Sequence, residues 1–292
     1  MSYDQNKHAY CIIAHDEPQL LGVLISLLDD ERNDVFLLLD KKTSVADFQP
    51  FKMSKGRLLI LPQTLKITWG SISQVEAELA ILEYAQSRGH YNYYHLLSGH
   101  DLPIKSQNDI HKFFNEHDGF EFMLFSQGKD NEADLEYKTR YYHLDFPQKG
   151  ANRFTAKISQ IFVRIQMLLG VHRRYSLPLY KGVNWASMTP QFVEYLISQR
   201  SFVLREFKGV LCADEIYKHS ILMSSQFKDK VYVPENNAKA NVREIDWREG
   251  KPYVWTCNDI ERLRLSSNMF ARKFSIEKDS KAVNAIEELL RK

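Results

Sequence analysis

The sequence predicts an α/β fold, a largely parallel sheet flanked by helices in a single domain, and three observations carry that expectation. The first is the opening order. An apolar run at Ala9–Ala14 gives way to His15-Asp16-Glu17-Pro18, then to apolar residues at helical spacing over Gln19–Leu28. A β-prone run over Asp34–Leu39 follows and ends at Asp40-Lys41-Lys42. The second is recurrence: Leu58–Leu61, Tyr93–Ser98 and Phe120–Phe125 read as further strands. Between them lie a helix over Ser71–Ser87, whose Val75, Leu79, Leu82 and Ala85 share one stripe, and another from Asn108 to Phe114. The third is continuity, since no internal repeat or Gly/Pro-rich linker divides the 292 residues. That length is near the most that one core serves.

The second half is less regular. Gly128–Gly150 is polar, Tyr-rich and weakly periodic, and reads as a long loop of the kind that forms lids or binding segments. Ala156–Leu169 reads as an amphipathic helix, followed by a basic stretch at His172–Tyr175. Tyr180–Met188 reads as strand and turn. Thr189–Ser198 is a helix with Pro190 placed for its first turn, and Asp214–Ser224 is another. Val242–Phe274 mixes short strands and turns with a helix from Asp259, and Val283–Leu290 reads as an exposed closing helix.

Composition narrows the function classes. The formal net charge is +2, with basic residues scattered rather than banded, so a nucleic-acid partner is not expected. Cys11, Cys212 and Cys257 form no CxxC pair, and a sparse odd count argues against a disulfide framework. No apolar run approaches the ~20 residues of a bilayer span. Met1–His8 is polar with no signal-peptide core, so the expected location is cytoplasmic, with peripheral membrane contact left open. GxGxxG, GxxxxGK[ST], GxSxG and HExxH are all absent. So is Asp-x-Asp, the triplet expected of a metal-dependent sugar transferase, and no metal is expected.

Three short stretches suit chemistry, each with a plain structural alternative. Ser98-Gly99-His100-Asp101 follows a buried strand, where Gly99 lets backbone approach a ligand and Asp101 equally suits a turn cap. Asp214-Glu215 opens a helix, where acids also serve simply to offset the dipole. Arg272-Lys273, between Phe270 and Phe274, pairs two cations able to neutralise a diphosphate without a metal, or to decorate a surface strand. Trp185 and Tyr180 offer rings for sugar stacking or for the core.

Taken in order, WGSISQVEAE (Trp69–Glu78), YHLLSGHDLPIK (Tyr94–Lys105), Asn108-Asp109-Ile110, ADEIYKHSILMS (Ala213–Ser224) and FARKF (Phe270–Phe274) carry a resemblance. The chain resembles the core-2/I-branching β-1,6-N-acetylglucosaminyltransferase family, which includes peptide O-xylosyltransferases, from about Tyr10 to about Phe274. The resemblance implies a GT-A-type fold, a Rossmann-like mixed sheet flanked by helices. A nucleotide-binding half would span about 9–125 and an acceptor and catalytic half about 126–292. It implies an inverting, metal-independent enzyme using a UDP-sugar donor and a glycan or glycolipid acceptor. Glu215 takes the role of catalytic base and Lys273 that of diphosphate contact. Arg272 takes the neighbouring position used by the xylosyltransferase branch, and the His15 loop and Asp40 match segments that hold uridine. With Ser98, Gly99, Asp101, Trp185 and Asp214, these make up the expected substrate-binding set. Relatives commonly carry His before the Asp-Lys, where this chain has Leu38-Leu39, and Gln in place of His100. The membrane anchor and paired cysteines of animal members are missing. A bacterial-style cytoplasmic relative acting on a surface-glycan precursor is therefore expected.

A single displacement at the anomeric carbon needs a base for the acceptor hydroxyl and positive charge at the departing UDP. Glu215, partly desolvated, would supply the first, and Arg272 and Lys273 the second. The alternative is a catalytically silent nucleotide-sugar- or glycan-binding protein on the same scaffold, which retention of both Glu215 and Lys273 disfavours.

Overall fold

A computed structural model describes residues 7–48, 51–62, 65–144, 153–247 and 250–291. The opening follows the sequence expectation: β1 (His8–Ala14), α1 (Pro18–Leu27), β2 (Asn33–Leu39), β3 (Arg57–Ile60), α2 (Ile72–Gln86) and β4 (Tyr93–Ser98). Next come β5 (Asp101–Pro103), α3 (Gln107–Glu116), α4 (Lys129–Arg140), α5 (Arg153–Leu168) and β6 (Ser187–Met188). The chain continues through α6 (Pro190–Ser198), α7 (Arg200–Glu206), a 3-10 turn at Ala213–Glu215, α8 (Tyr217–Met223) and β7 (Arg243–Ile245). It ends with α9 (Ile260–Leu265), β8 (Phe270–Arg272) and α10 (Ile276–Leu290).

The strands form two sheets. The larger runs β3-β2-β1-β4-β6, parallel except for β6, and the smaller runs β5-β8-β7. In the smaller sheet β8 is antiparallel to β5 and parallel to β7. The architecture is thus a mixed α/β fold of the expected class. Strand alternation splits the apolar residues between the two faces of the larger sheet. Ala9, Cys11, Phe36 and Leu96 pack with α2, α6 and α8, while Tyr10, Ile12, Val35 and Leu97 pack with α1, α3 and α10. Both faces being covered is why these strands read as continuous apolar runs. Helix starts follow their caps: Ser71, Ser106 and Thr189 each accept a backbone N–H of the first turn.

Four expectations change. The loop expected over Gly128–Gly150 contains α4, while residues 145–150 lie outside the described set. That helix sets only Leu135 against the core, so it has no apolar stripe to announce it. Asp134–Lys138 and Glu136–Arg140 ion pairs support it, with Asp130 and Glu132 in its first turn and Lys138 and Arg140 in its last. Phe120–Phe125 makes only isolated bridges, Glu121 to Val231, Phe122 to Ser187 and Phe125 to Gly182, and only Ser187–Met188 of the 180–188 stretch is strand. The closing helix begins earlier, at Ile276, and buries Ala282, Val283 and Ile286. Among the described residues, no helix is long and apolar enough to cross a membrane.

Candidate active site

The carboxyl ends of the parallel strands bring the N-terminal candidates together. Asp40 N donates to Ala14 O (3.1 Å), Gly99 N to Ile13 O (3.2 Å) and Thr43 Oγ1 to His15 O (3.1 Å). The ends of β1, β2 and β4 therefore form one edge, where open α/β sheets bind ligands. A Cβ at Gly99 would lie 3.0 Å from Ala14 Cβ, so the small residue serves the packing of β4 against β1. Asp40 is buried, and its Oδ1 accepts Lys42 N (3.0 Å) and Ile67 N (3.3 Å), so its carboxylate organises the loops at this edge.

The Ser98–Asp101 turn is the junction between the two sheets. Asp101 Oδ2 accepts Ser98 N (2.7 Å), and Asp101 Oδ1 accepts Arg272 Nη1 (2.8 Å), which also donates to Ser98 Oγ. Asp101 and Arg272 are register partners across β5 and β8. Asp101 is at once the turn cap and the anchor of a cation, two roles the sequence offered as alternatives. The residue before Asp101 ties to the same stretch: Phe274 N donates to His100 O (2.9 Å), and His100 Nδ1 lies 3.0 Å from Phe274 O. On its other side His100 Nε2 is 2.8 Å from Asp16 Oδ1. Burial pushes the Asp16 carboxyl up. The His100 hydrogen bond and the charges of His100, His15 and Lys273 overcome that and hold it down at about 2. His15 is exposed and lies 3.5 Å from Asp16; burial lowers its pKa against the pull of Asp16.

The two cations are not equivalent. Arg272 is committed to Asp101 and Ser98, and its guanidinium also lies 4.6 Å from the centre of the Trp185 ring. Trp185 therefore already has a cation on one face, the geometry of a cation–π contact. Lys273 is half-buried and acts on the His15–Asp16 loop through its charge. Its backbone is fixed by residues the sequence did not suggest. Trp255 Nε1 donates to Arg272 O (2.9 Å), Trp255 N donates to Lys273 O (2.9 Å), and Lys273 N donates to Tyr253 O (3.3 Å). The peptide between Arg272 and Lys273 is cis.

Glu215 belongs to a second group of charges. Cys212, at φ 51°, turns the chain into the Ala213–Glu215 turn; a left-handed conformation costs a non-glycine residue roughly 1–2 kcal/mol. A bond from its N–H to Gly70 O (3.0 Å) holds it. Lys138 Nζ, from α4, donates to Glu215 Oε2 (2.8 Å) and also pairs with Asp134 (2.8 Å), which pairs with Lys181 (2.7 Å). Burial alone would lower the Lys138 pKa; the charges of Glu215 and Asp134 raise it instead. Glu215 is thus held by a cation, with 31% of its side chain exposed, rather than isolated in an apolar pocket. Asp214 faces inward. Its Oδ2 accepts Gln74 Nε2 (3.1 Å), and burial followed by the charges of Glu78 and Glu215 pushes its carboxyl up to about 7. Below it, fully buried Lys218 donates to Glu78 Oε2 (2.8 Å), Asp214 O (2.6 Å) and Asn184 Oδ1.

Residues 181–185 join the two groups. Lys181 pairs with Asp134, Gly182 N donates to Glu215 O (2.8 Å), Asn184 accepts Lys218, and Trp185 stacks on Arg272. Gly182 is required here, because a Cβ would overlap His219 Nε2 and Leu124 O. Beside Lys181 opens a cavity of about 610 Å³ walled by Phe125, Tyr180 and Tyr232, with Gln127, Asn131 and Asn237 among its polar groups. Among the described residues, no three His, Cys, Asp or Glu side chains are grouped so as to hold a metal ion.

The model of one protein family, the Core-2/I-Branching enzyme, matches residues 8–267, a span that includes Glu215 and ends just before β8 with Arg272 and Lys273. No curated protein matches the chain.

Proposed function

The chain belongs to the Core-2/I-branching enzyme family, a family of glycosyltransferases, and on that premise we propose that it moves a sugar from a UDP-sugar to a glycan hydroxyl. The transfer is a single inverting displacement and needs no metal ion. The observation that carries this reading is the pairing of two charge groups through residues 181–185. One presents the Glu215 carboxylate, and the other ends β8 in Arg272 and Lys273 at the carboxyl edge of the parallel strands.

On this reading the residues have distinct tasks. Glu215 takes the acceptor proton. Lys138 orients it and, being shared with Asp134, does not depend on Glu215 alone for compensation. Lys273 meets the diphosphate and stabilises its charge as the glycosidic bond to it breaks. Arg272, tied to Asp101 and Ser98, holds the strand end that carries Lys273 and adds its charge from behind. Asp40, His15 and the Ser98–Asp101 turn form the edge on which the uridine rests. The cavity beside Lys181 has aromatic walls for sugar faces and amides for hydroxyls, the lining an acceptor glycan needs. Bacterial surface-glycan synthesis at the cytoplasmic face of the membrane is the setting that fits such a donor and acceptor.

Lys273→Ala tests the donor side. UDP affinity measured by calorimetry should fall about tenfold or more, the scale of a lost charge-assisted contact to phosphate. Unchanged affinity would remove Lys273 from the phosphate site.

A further inference from the structure

Outside the site, one surface stands apart. On α5, Ile161, Ile165 and Leu168 are 54%, 48% and 86% exposed, and Leu169 just after it is 72% exposed. Spacings of four and three place the first three on one helix face. The exposed charged residues beside them, Lys157 and Arg164 on the helix and Arg174 beyond it, are all cationic. From residue 146 to 193 the sequence contains no Asp or Glu. An apolar stripe this exposed marks an interaction surface. The charged residues of the segment itself are all basic, which selects an anionic partner, and a second copy of this chain would set cation against cation.

We propose that this face of α5 and residues 169–174 dock on an anionic lipid surface, lying in the interface with Ile161, Ile165 and Leu168 inserted and the cations among the headgroups. The placement bears on catalysis. Gln166 exchanges hydrogen bonds with the Tyr142 backbone (both 2.8 Å), and Arg173 N donates to Arg140 O (3.0 Å), so α5 is bonded to the end of α4. That helix carries Lys138, the partner of Glu215. A docked enzyme therefore holds its catalytic carboxylate close to acceptors displayed at the membrane.

Vesicle sedimentation tests this independently of any sugar chemistry. The whole protein should pellet with vesicles of equal parts phosphatidylglycerol and phosphatidylcholine, and not with phosphatidylcholine alone. Leu168→Asp and Ile165→Asp should abolish pelleting. Arg164→Ala and Arg174→Ala should each weaken it about fivefold at low salt. Because these side chains are exposed, all four variants should keep the parent melting temperature and UDP affinity. No pelleting of the parent protein, equal pelleting with both vesicle types, or undiminished pelleting of Leu168→Asp would overturn the proposal. So would a dimer in solution that Leu168→Asp breaks in a protein that ignores vesicles, because a second copy would then cover this face.

Discussion

Glu215→Gln should lower turnover by at least about 100-fold while leaving the fold and UDP affinity within about twofold of the parent, the usual scale for loss of a general base. The substitution keeps the size of the side chain and an oxygen able to accept Lys138. It removes the charge and the basicity. Lys138 is not stranded by the change, because Asp134 still pairs with it at 2.8 Å. The backbone of the turn is held by bonds that the side chain does not make: Cys212 N to Gly70 O and Gly182 N to Glu215 O. The variant separates the base from the scaffold for that reason. Turnover near the parent value, measured under single-turnover conditions with saturating donor, would take Glu215 out of the mechanism.

Lys218→Met should be the most destabilising single change near the site, by about 3–5 kcal/mol, the cost of leaving a buried charge without its partner. Lys218 is fully buried, and Glu78 is 2% exposed at the side chain. Without the ammonium, Glu78 keeps only the Tyr217 hydroxyl (2.8 Å), and the Asp214 carboxyl lies nearby in the same low-dielectric pocket. A Glu78→Gln/Lys218→Met double variant should recover much of the loss, because the unpaired charge goes with its partner. Urea midpoints for the four proteins of this cycle measure the effect. A loss below about 1 kcal/mol in the single variant would mean that water reaches the pair. Lys218 also ties Asp214 O to Asn184 and so links the Glu215 turn to residues 181–185.

The elements readable from sequence were those with a simple burial rule. In β1, β2 and β4 every residue but Ile13 is buried, so each strand appears as a largely apolar run, and its end, where His15, Asp40 and Ser98 sit, could be located. The helix over α4 could not, because Leu135 alone packs on the core and ion pairs, not an apolar stripe, mark the rest of it. With it went Lys138, whose importance depends on a carboxylate 77 residues away. Charged residues in a polar stretch carry no local mark of such a partner. The smaller sheet was hidden for a different reason. Its strands are three residues each, too short for alternation to register. Asp101 and Arg272 were both singled out, yet that they bind each other is a fact of register across β5 and β8. His100 marks the opposite case. It departs from the pattern of the family the chain resembles, and the structure gives it two partners, Asp16 and Phe274, that join the first strand end to the last.

UDP release from a panel of UDP-sugars in the presence of EDTA tests metal-independent transfer directly. Slow donor hydrolysis needs no acceptor, so the test does not wait on the acceptor's identity. At least one of UDP-N-acetylglucosamine, UDP-xylose, UDP-glucose and UDP-galactose should be hydrolysed at the same rate with and without EDTA. Lys273→Ala and Glu215→Gln should each lower that rate. Hydrolysis that stops on chelation and returns with manganese, or no UDP release from any donor, would contradict it.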